Sequence, residues 1–355
     1  MKRSKKLSLF ILVFFAAIFI VTGSRTTVYA ADTEMNIYGI FLGNEVKGDS
    51  VLLESKGEYL LMDIGGEDCV PYVTKELNKL GVTHVSLYFS HLHMDHVGGS
   101  SAYNITGGMD MLQNEGIQID RLYLPAPSLS ARSLKNSTKY SILSNYAQGK
   151  FQIVYLYVGS TLTVGDAVGK VIGPLNENSL SLTDYTTYEN NCSLATIFTC
   201  GKTKFFTAGD SQEEESEFLV KRYGSELDCD IMKLNHHGTG KGNITELLEA
   251  ISPTYSFAEN GISTGYSTKT GRWNTYTALT RASRYGVCYL VGNEKKTVIY
   301  NVKNDVITMY KGNTTANAKK LSGWVELVGG DGKYRSKAMY YIKNNQVLTG
   351  IQKIG

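Results

Sequence analysis

The run His91-Leu92-His93-Met94-Asp95-His96, followed directly by Val97-Gly98-Gly99, holds three of the six histidines of the chain. It comes just after Val85-Ser86-Leu87-Tyr88-Phe89, a short apolar stretch that reads as a buried strand. Histidines two apart at the end of an extended segment point to the same side, which suits two imidazole nitrogens placed about 2 Å from one ion. Asp95 and His96 then turn the other way and serve a second ion. Two later stretches add donors. Residues 204–210 read as a strand that delivers Asp210 at its end, and residues 230–234 as a strand ending in Asn235-His236-His237-Gly238. His91, His93, Asp95, His96, Asp210 and His236 or His237 form a mixed nitrogen and oxygen set, enough for two divalent cations, zinc or manganese. Thiolates are absent from these loops, which argues against a purely structural cysteine site. Two ions about 3.5–4 Å apart, bridged by a carboxylate such as Asp210, suit hydrolysis, because the pKa of a bound water falls toward ~7.

The surrounding elements must carry these loops to one place. Residues 35–41 read as a strand, and 51–53 with 58–62 as a hairpin whose second strand ends in Asp63. Asp63 either accepts from a ligand imidazole or caps its own turn. Residues 71–80 read as a helix, with Pro71 at its start and Gly81 as its stop. Helices follow at 109–116 and within 128–150, and strands at 122–124, 151–158, 161–164 and 167–172. Residues 190–200 and 204–210 read as two strands around a polar turn, and Ser211 with Glu214 as a capping box opening a helix. A helix at 245–250, a strand at 254–258, a polar loop at 259–275, a helix at 276–285 and strands at 287–291 and 297–300 complete the unit. Two strand clusters with helices between and after them predict an α/β layered sandwich over residues 31–310. Residues 311–322 read as a polar linker, and 323–355 as a separate segment punctuated by glycine and aromatics.

The chain has 355 residues with 42% hydrophobic and 19% charged content, ordinary for a globular protein. Its formal charge of +3 is local in origin. Lys2, Arg3, Lys5, Lys6 and Arg25 lie in residues 1–30, which hold no acid, so the remainder carries 31 basic against 33 acidic residues. No basic stripe of the kind nucleic acid requires is evident. Residues 1–30 read as a secretory signal peptide: a basic start, an apolar core over 7–21, and Val28-Tyr29-Ala30 as the cleavage site. The apolar core falls short of the ~20 residues that span a bilayer. The expectation is a secreted or cell-wall-associated protein, cleaved near Ala30. Five cysteines without CxxC spacing read as small apolar fillers rather than a disulfide framework.

Taken together, the histidine run, the strand ending in Gly209-Asp210 and the final His236-His237-Gly238 resemble the metallo-β-lactamase superfamily. Leu61-Met62-Asp63-Ile64-Gly65, Asn190-Asn191-Cys192-Ser193-Leu194, Phe206-Thr207-Ala208-Gly209-Asp210 and Met232-Lys233-Leu234-Asn235-His236-His237-Gly238-Thr239 are similar to the hydrolase domain of ComEC-type DNA-uptake proteins. The resemblance runs over residues 35–300 and implies a four-layer αββα sandwich with the metals at one edge between the sheets. It implies that His91 and His93 hold one ion, Asp95 and His96 the other, and that Asp210 bridges them. His236 is the first choice to complete the second position, with His237 donating to a phosphoryl oxygen; the reverse assignment stays open. Many members of the superfamily place a further histidine in mid-chain, and here none stands between His96 and His236. Asn191 is therefore expected to reach a metal or the substrate. Asp95, His237 and Asn191 are the residues expected at the reaction. Gly271-Arg272-Trp273-Asn274 stands where ComEC-type sequences often show Gly-His-Pro, so a donor task there passes to Arg272 or Asn274 or is lost.

The tail, through Trp324, Tyr340-Tyr341 and residues 349–354, resembles a single degenerate cell-wall-binding repeat of the choline- or glucan-binding kind, a small β-hairpin module. The expected function is a secreted dinuclear metal-dependent hydrolase. It acts as a phosphoesterase or phosphodiesterase at the cell envelope, with a cell-wall polymer as candidate substrate and the tail as candidate wall attachment. The alternatives are an extracellular nuclease, a lactam or lactone hydrolase, and a wall-associated binding protein with a vestigial metal site.

Overall fold

A computed structural model describes residues 32–43, 48–130, 134–175, 185–259, 278, 281–311, 319–320, 323–329, 336–343 and 346–347. Residues 1–30, Arg272 and Asn274 lie outside the described residues. The strands are β1 (Glu34–Gly39), β2 (Val51–Ser55), β3 (Glu58–Met62), β4 (His84–Tyr88), β5 (Gln118–Pro125) and β6 (Gln152–Leu156). They continue with β7 (Thr161–Val164), β8 (Ala167–Gly173), β9 (Ala195–Cys200), β10 (Thr203–Thr207), β11 (Ile231–Lys233), β12 (Tyr255–Ala258) and β13 (Val287–Leu290). Next come β14 (Val298–Lys303), β15 (Val306–Lys311) and β16 (Lys319–Lys320).

One sheet has the order β16-β15-β14-β1-β2-β3-β4-β5-β6 and the other β13-β12-β11-β10-β9-β8-β7. Each sheet is antiparallel in one half and parallel in the other. β3, β4, β5 and β6 run parallel in the first sheet, and β10, β11, β12 and β13 in the second. Period-two alternation explains the layering. Met35 and Ile37 of β1, Val51 and Leu53 of β2 and Leu60 and Met62 of β3 enter the core between the sheets, where they meet Phe198, Phe205 and Phe257. The alternate residues Tyr38, Leu52 and Leu61 turn outward.

That outer face is covered by α1 (Val70–Lys79), α2 (Gly107–Asn114) and α4 (Leu134–Ala147), through Val73, Leu77, Met109, Leu112, Tyr140 and Leu143. A short turn, α3 (Pro127–Ser130), precedes α4. On the second sheet, Phe206 and Met232 face Leu219 of α6 (Glu213–Tyr223) and Leu247 and Leu248 of α7 (Thr245–Ile251). The result is a four-layer αββα sandwich. Three acids open α6 and Lys221 and Arg222 close it, complementing the helix dipole.

Two local expectations change. The strand expected from residue 190 begins only at Ala195, because α5 (Tyr185–Asn191) occupies the segment before it. The sheet also continues past residue 310: β15 pairs with β14, and β16, inside the expected linker, pairs with β15. Farther on, β17 (Gly323–Gly329), β18 (Ser336–Lys343) and β19 (Gln346–Val347) form a small antiparallel sheet.

Phe205 is the centre of the inter-sheet core, stacked against Phe198 (centroids 6.1 Å apart, 23° between planes) and Phe257 (6.3 Å, 17°). Phe205→Ala is expected to lower unfolding stability by about 3–5 kcal/mol, the usual cost of emptying an aromatic core position. The reading is a lower midpoint in urea at unchanged slope.

Candidate metal centre

The site lies where the C-terminal ends of the parallel strands of both sheets meet, the usual ligand edge of layered α/β architectures. Asp63 leaves β3 and the histidine loop leaves β4, both in the first sheet; Asp210 follows β10 and His236-His237 follow β11 in the second. A backbone bond joins the two sets, Leu194 N donating to Ser90 O at 2.9 Å, and within the second His236 N donates to Gly209 O at 2.9 Å. Gly209 adopts φ +50°, and a Cβ there would lie 2.5 Å from Ser90 Oγ, so only glycine lets these loops approach.

Two donor groups result, each with its ligand atoms within 4.8 Å of one another: His91, His93 and Asp210; and Asp49, His96, Asp210 and His237. Asp210 belongs to both. Its Oδ2 lies 3.3 Å from His96 Nε2, 3.2 Å from His237 Nε2 and 3.6 Å from His236 Nε2. Asp95 Oδ2 lies 3.6 Å from His237 Nε2. In the first group His91 Nε2 and His93 Nδ1 are 2.9 Å apart.

The partners on the outer side of each ring fix which nitrogen faces inward. Asp63 Oδ2 accepts from His96 Nδ1 at 2.8 Å and from Ser90 Oγ at 2.7 Å, and Asp63 Oδ1 accepts from Ser90 N at 2.8 Å. Ser90 Oγ has thus spent its hydrogen and can only accept from His91 Nδ1, 3.1 Å away, which leaves a lone pair on His91 Nε2. Asp49 Oδ1 stands 3.0 Å from His237 Nδ1, while Lys233 Nζ pairs with the other oxygen of Asp49. Glu189 Oε2 stands 3.0 Å from His93 Nε2. Gln212 Nε2 lies 3.4 Å from His236 Nδ1.

These residues fit cations. His96 Nε2 and Asp210 Oδ1 are buried and make no hydrogen bond, and the His91 Nε2 lone pair points at another ring nitrogen. Such groups are costly in an interior unless a cation gathers them. The protonation states agree. Burial disfavours charge on His96, but the Asp210 and Asp63 carboxylates outweigh it and hold its pKa well above the ordinary value. His237 is raised likewise against burial by Asp210 and Asp49. Burial would push Asp210 up, yet the charges of His237, His96 and His236 hold it well below the carboxylate range. Burial sends His91 well below its usual value and His236 down to about 4.

Of the residues expected at the site, His91, His93, Asp95, His96, Asp210, His236 and His237 all converge. His237, the expected phosphoryl donor, is the member of the final pair that stands in a donor group; His236, the expected ligand, stands outside it. Asn191 does not reach inward. Its Nδ2 donates to Glu214 Oε2 at 2.7 Å and its Oδ1 accepts from Gln212 N at 2.8 Å. The capping box gives way to the same contacts: α6 is capped at Gln212, which makes no side-chain cap bond of its own. Asp49, Glu189, Lys139 and Lys233 were not legible as site residues. The one signal was Lys233, a charge inside the apolar run Ile231-Met232-Lys233-Leu234, which needs a buried partner.

No family model matches the chain. Competence protein ComA of Neisseria gonorrhoeae is 24% identical over 223 residues, 62% of this chain and 26% of that protein. The chain thus spans about a quarter of the length of this curated relative. Among solved structures it is similar to the metallo-beta-lactamase fold protein YhfI from Bacillus subtilis (11% identity, TM-score 0.45, 72% of this chain and 96% of that chain). It is similar also to CmlA, a diiron beta-hydroxylase from Streptomyces venezuelae (13% identity, TM-score 0.43, 73% of this chain and 52% of that chain). The two mixed sheets and the helices outside them make a four-layer αββα sandwich, with the histidine loop at the edge the sheets share. Among the described residues no helix is long and apolar enough to cross a membrane.

The raised pKa values of His96 and His237 set a pH dependence. In metal-free protein their stabilising contribution is complete below about pH 6.5 and is lost as pH rises through their folded values. Cations must displace those same protons, so their affinity rises with pH. The difference in Tm between zinc-loaded and EDTA-treated protein is expected to widen from pH 6 to pH 8, as read by differential scanning fluorimetry.

Proposed function

We propose that the chain is a dinuclear metal-dependent hydrolase of phosphoesters, with phosphodiesters as the principal class, working at the cell envelope. The observation that carries this reading is the convergence of the histidine loop, Asp210 and His237 on one buried centre drawn from both sheets. His91 Nε2, His93 Nδ1 and Asp210 would hold one ion, and Asp95, His96 Nε2, His237 Nε2 and Asp210 the other. Zinc suits this nitrogen-rich set and manganese is the alternative. When bound, the ions supply positive charge toward phosphoryl oxygens and acidify a water.

The chain's own residues do the remainder. Asp49 and Asp63 orient His237 and His96, and Asp210 ties the two positions together. His236 is the substrate donor in this reading, which reverses the first choice made from the sequence. With the Gln212 amide donating to Nδ1, His236 keeps its proton on Nε2, on the side of Asp210, and is neutral at pH 7. A neutral imidazole there can donate to a phosphoryl oxygen without competing for a cation.

Placement at the envelope rests on the signal-like residues 1–30 and on the likeness of the tail to wall-binding repeats. Similarity to a competence protein favours DNA as the second substrate to test.

Purified protein is expected to bind two zinc ions and to hydrolyse bis-(p-nitrophenyl) phosphate with added zinc or manganese. His93→Ala and Asp210→Ala should each remove at least about a thousandfold of that activity, since both disable the metal centre. His237→Ala should lose one zinc, whereas His236→Ala should keep both and lower kcat by about 10²–10³, the scale of one lost oxyanion donor. Protein that holds no divalent ion, or that holds two and leaves the ester untouched, would sink this reading. A screen of teichoic acid, DNA and lactams then separates the substrate classes.

A further inference from the structure

α4 and α5 meet behind the histidine loop through an ion pair. Lys139 Nζ donates to Glu189 Oε1 at 2.7 Å and to Leu92 O, the carbonyl between the first two histidines, at 2.5 Å. Lys139 is 2% exposed and Glu189 is 0% exposed. An ion pair this deep is a poor source of stability, because desolvating both charges offsets their attraction, and apolar replacements are often neutral or better. Its presence needs another reason. The second carboxylate oxygen, Oε2, is buried and lies 3.0 Å from His93 Nε2.

We propose that Glu189, kept anionic by Lys139, positions His93 by holding the proton of its ring on Nε2, so that Nδ1 offers its lone pair to the first metal position. Glu189 is a positioning residue: it touches the far side of the ring, and Lys139 anchors both it and the backbone of the loop. The logic is that of acceptors. A carboxylate can only accept, so the ring nitrogen beside it carries the hydrogen and the opposite nitrogen is bare. That bare nitrogen, Nδ1, is the one 2.9 Å from the His91 Nε2 lone pair. Two lone pairs this close demand a cation, and together with Asp210 they make the first position. Asp63 on His96 and Asp49 on His237 do the same for the second position. The proposal rests on the dinuclear reading of the site.

The test uses zinc alone and the full chain. In metal-free wild type, long-range ¹H–¹⁵N spectra should show His93 protonated at Nε2 and bare at Nδ1; a ring bare at Nε2 would overturn the proposal. Glu189→Gln keeps the shape but not the acceptor. Its amide oxygen is drawn to Lys139, which leaves the NH₂ facing His93 Nε2 and drives the ring proton to Nδ1. Competition titration with a chromophoric chelator should then find one zinc at wild-type affinity and the other weakened about 10–100-fold, the usual cost of losing a ligand's outer partner. In the double variant Lys139→Met/Glu189→Gln, the amide oxygen is released to accept from His93. The weakened zinc should recover at least tenfold despite one more substitution in the interior, a rescue that loss of packing cannot produce. Two zinc ions at unchanged affinity in Glu189→Gln, or no recovery in the double variant, would overturn the proposal while leaving the metal centre standing. Wild type that binds no zinc would overturn the metal centre itself.

Discussion

Asp210 places one carboxylate within 3.2–3.6 Å of three imidazole nitrogens, in an interior where none of these groups can reach water freely. A negative charge in that position is tenable only with compensating positive charge, and the rings supply it either as protons or as ligands to cations. The arrangement also dictates architecture. His91, His93, Asp95 and His96 belong to the first sheet, while Asp210, His236 and His237 belong to the second, so the site exists only when the two sheets are packed. The aromatic stack of Phe198, Phe205 and Phe257 is thus part of the site's foundation.

The second organising feature is the ring of acceptors outside the histidines. Asp63, Ser90, Asp49 and Glu189 each face the nitrogen that points away from the centre, and Lys233 and Lys139 stand behind two of them. These buried charges add little net stability. Their contribution is orientation, because an imidazole has two nitrogens and metal chemistry needs a particular one. Preorganisation of this kind is what separates a metal site from a polar loop that contains histidines.

Asn191 illustrates how a site can be misread from its neighbourhood in sequence. It stands between Glu189, which faces His93, and Ser193, whose hydroxyl accepts from Asp210 N at 3.1 Å. Asn191 itself grips the start of α6 through Gln212 and Glu214. It therefore steadies the turn that presents Asp210 rather than meeting a ligand. Three residues in one short segment serve the centre from three directions, because the chain turns there from helix to strand.

The sequence by itself determined the histidine loop, the strands that deliver it and the layered class of the fold. Those features are local: a spacing of two residues at a strand end, and an alternation of apolar residues that decides which face turns inward. Only the tertiary structure decided which of His236 and His237 enters a donor group, which nitrogen each ring presents, and that Asp49 and Glu189 stand behind them. Those choices rest on contacts between distant parts of the chain, such as His237 with Asp49 across 188 positions and Lys139 with Glu189 across 50. No local pattern encodes such pairs. They follow from burying charged groups together, where each must find a partner that water would otherwise supply.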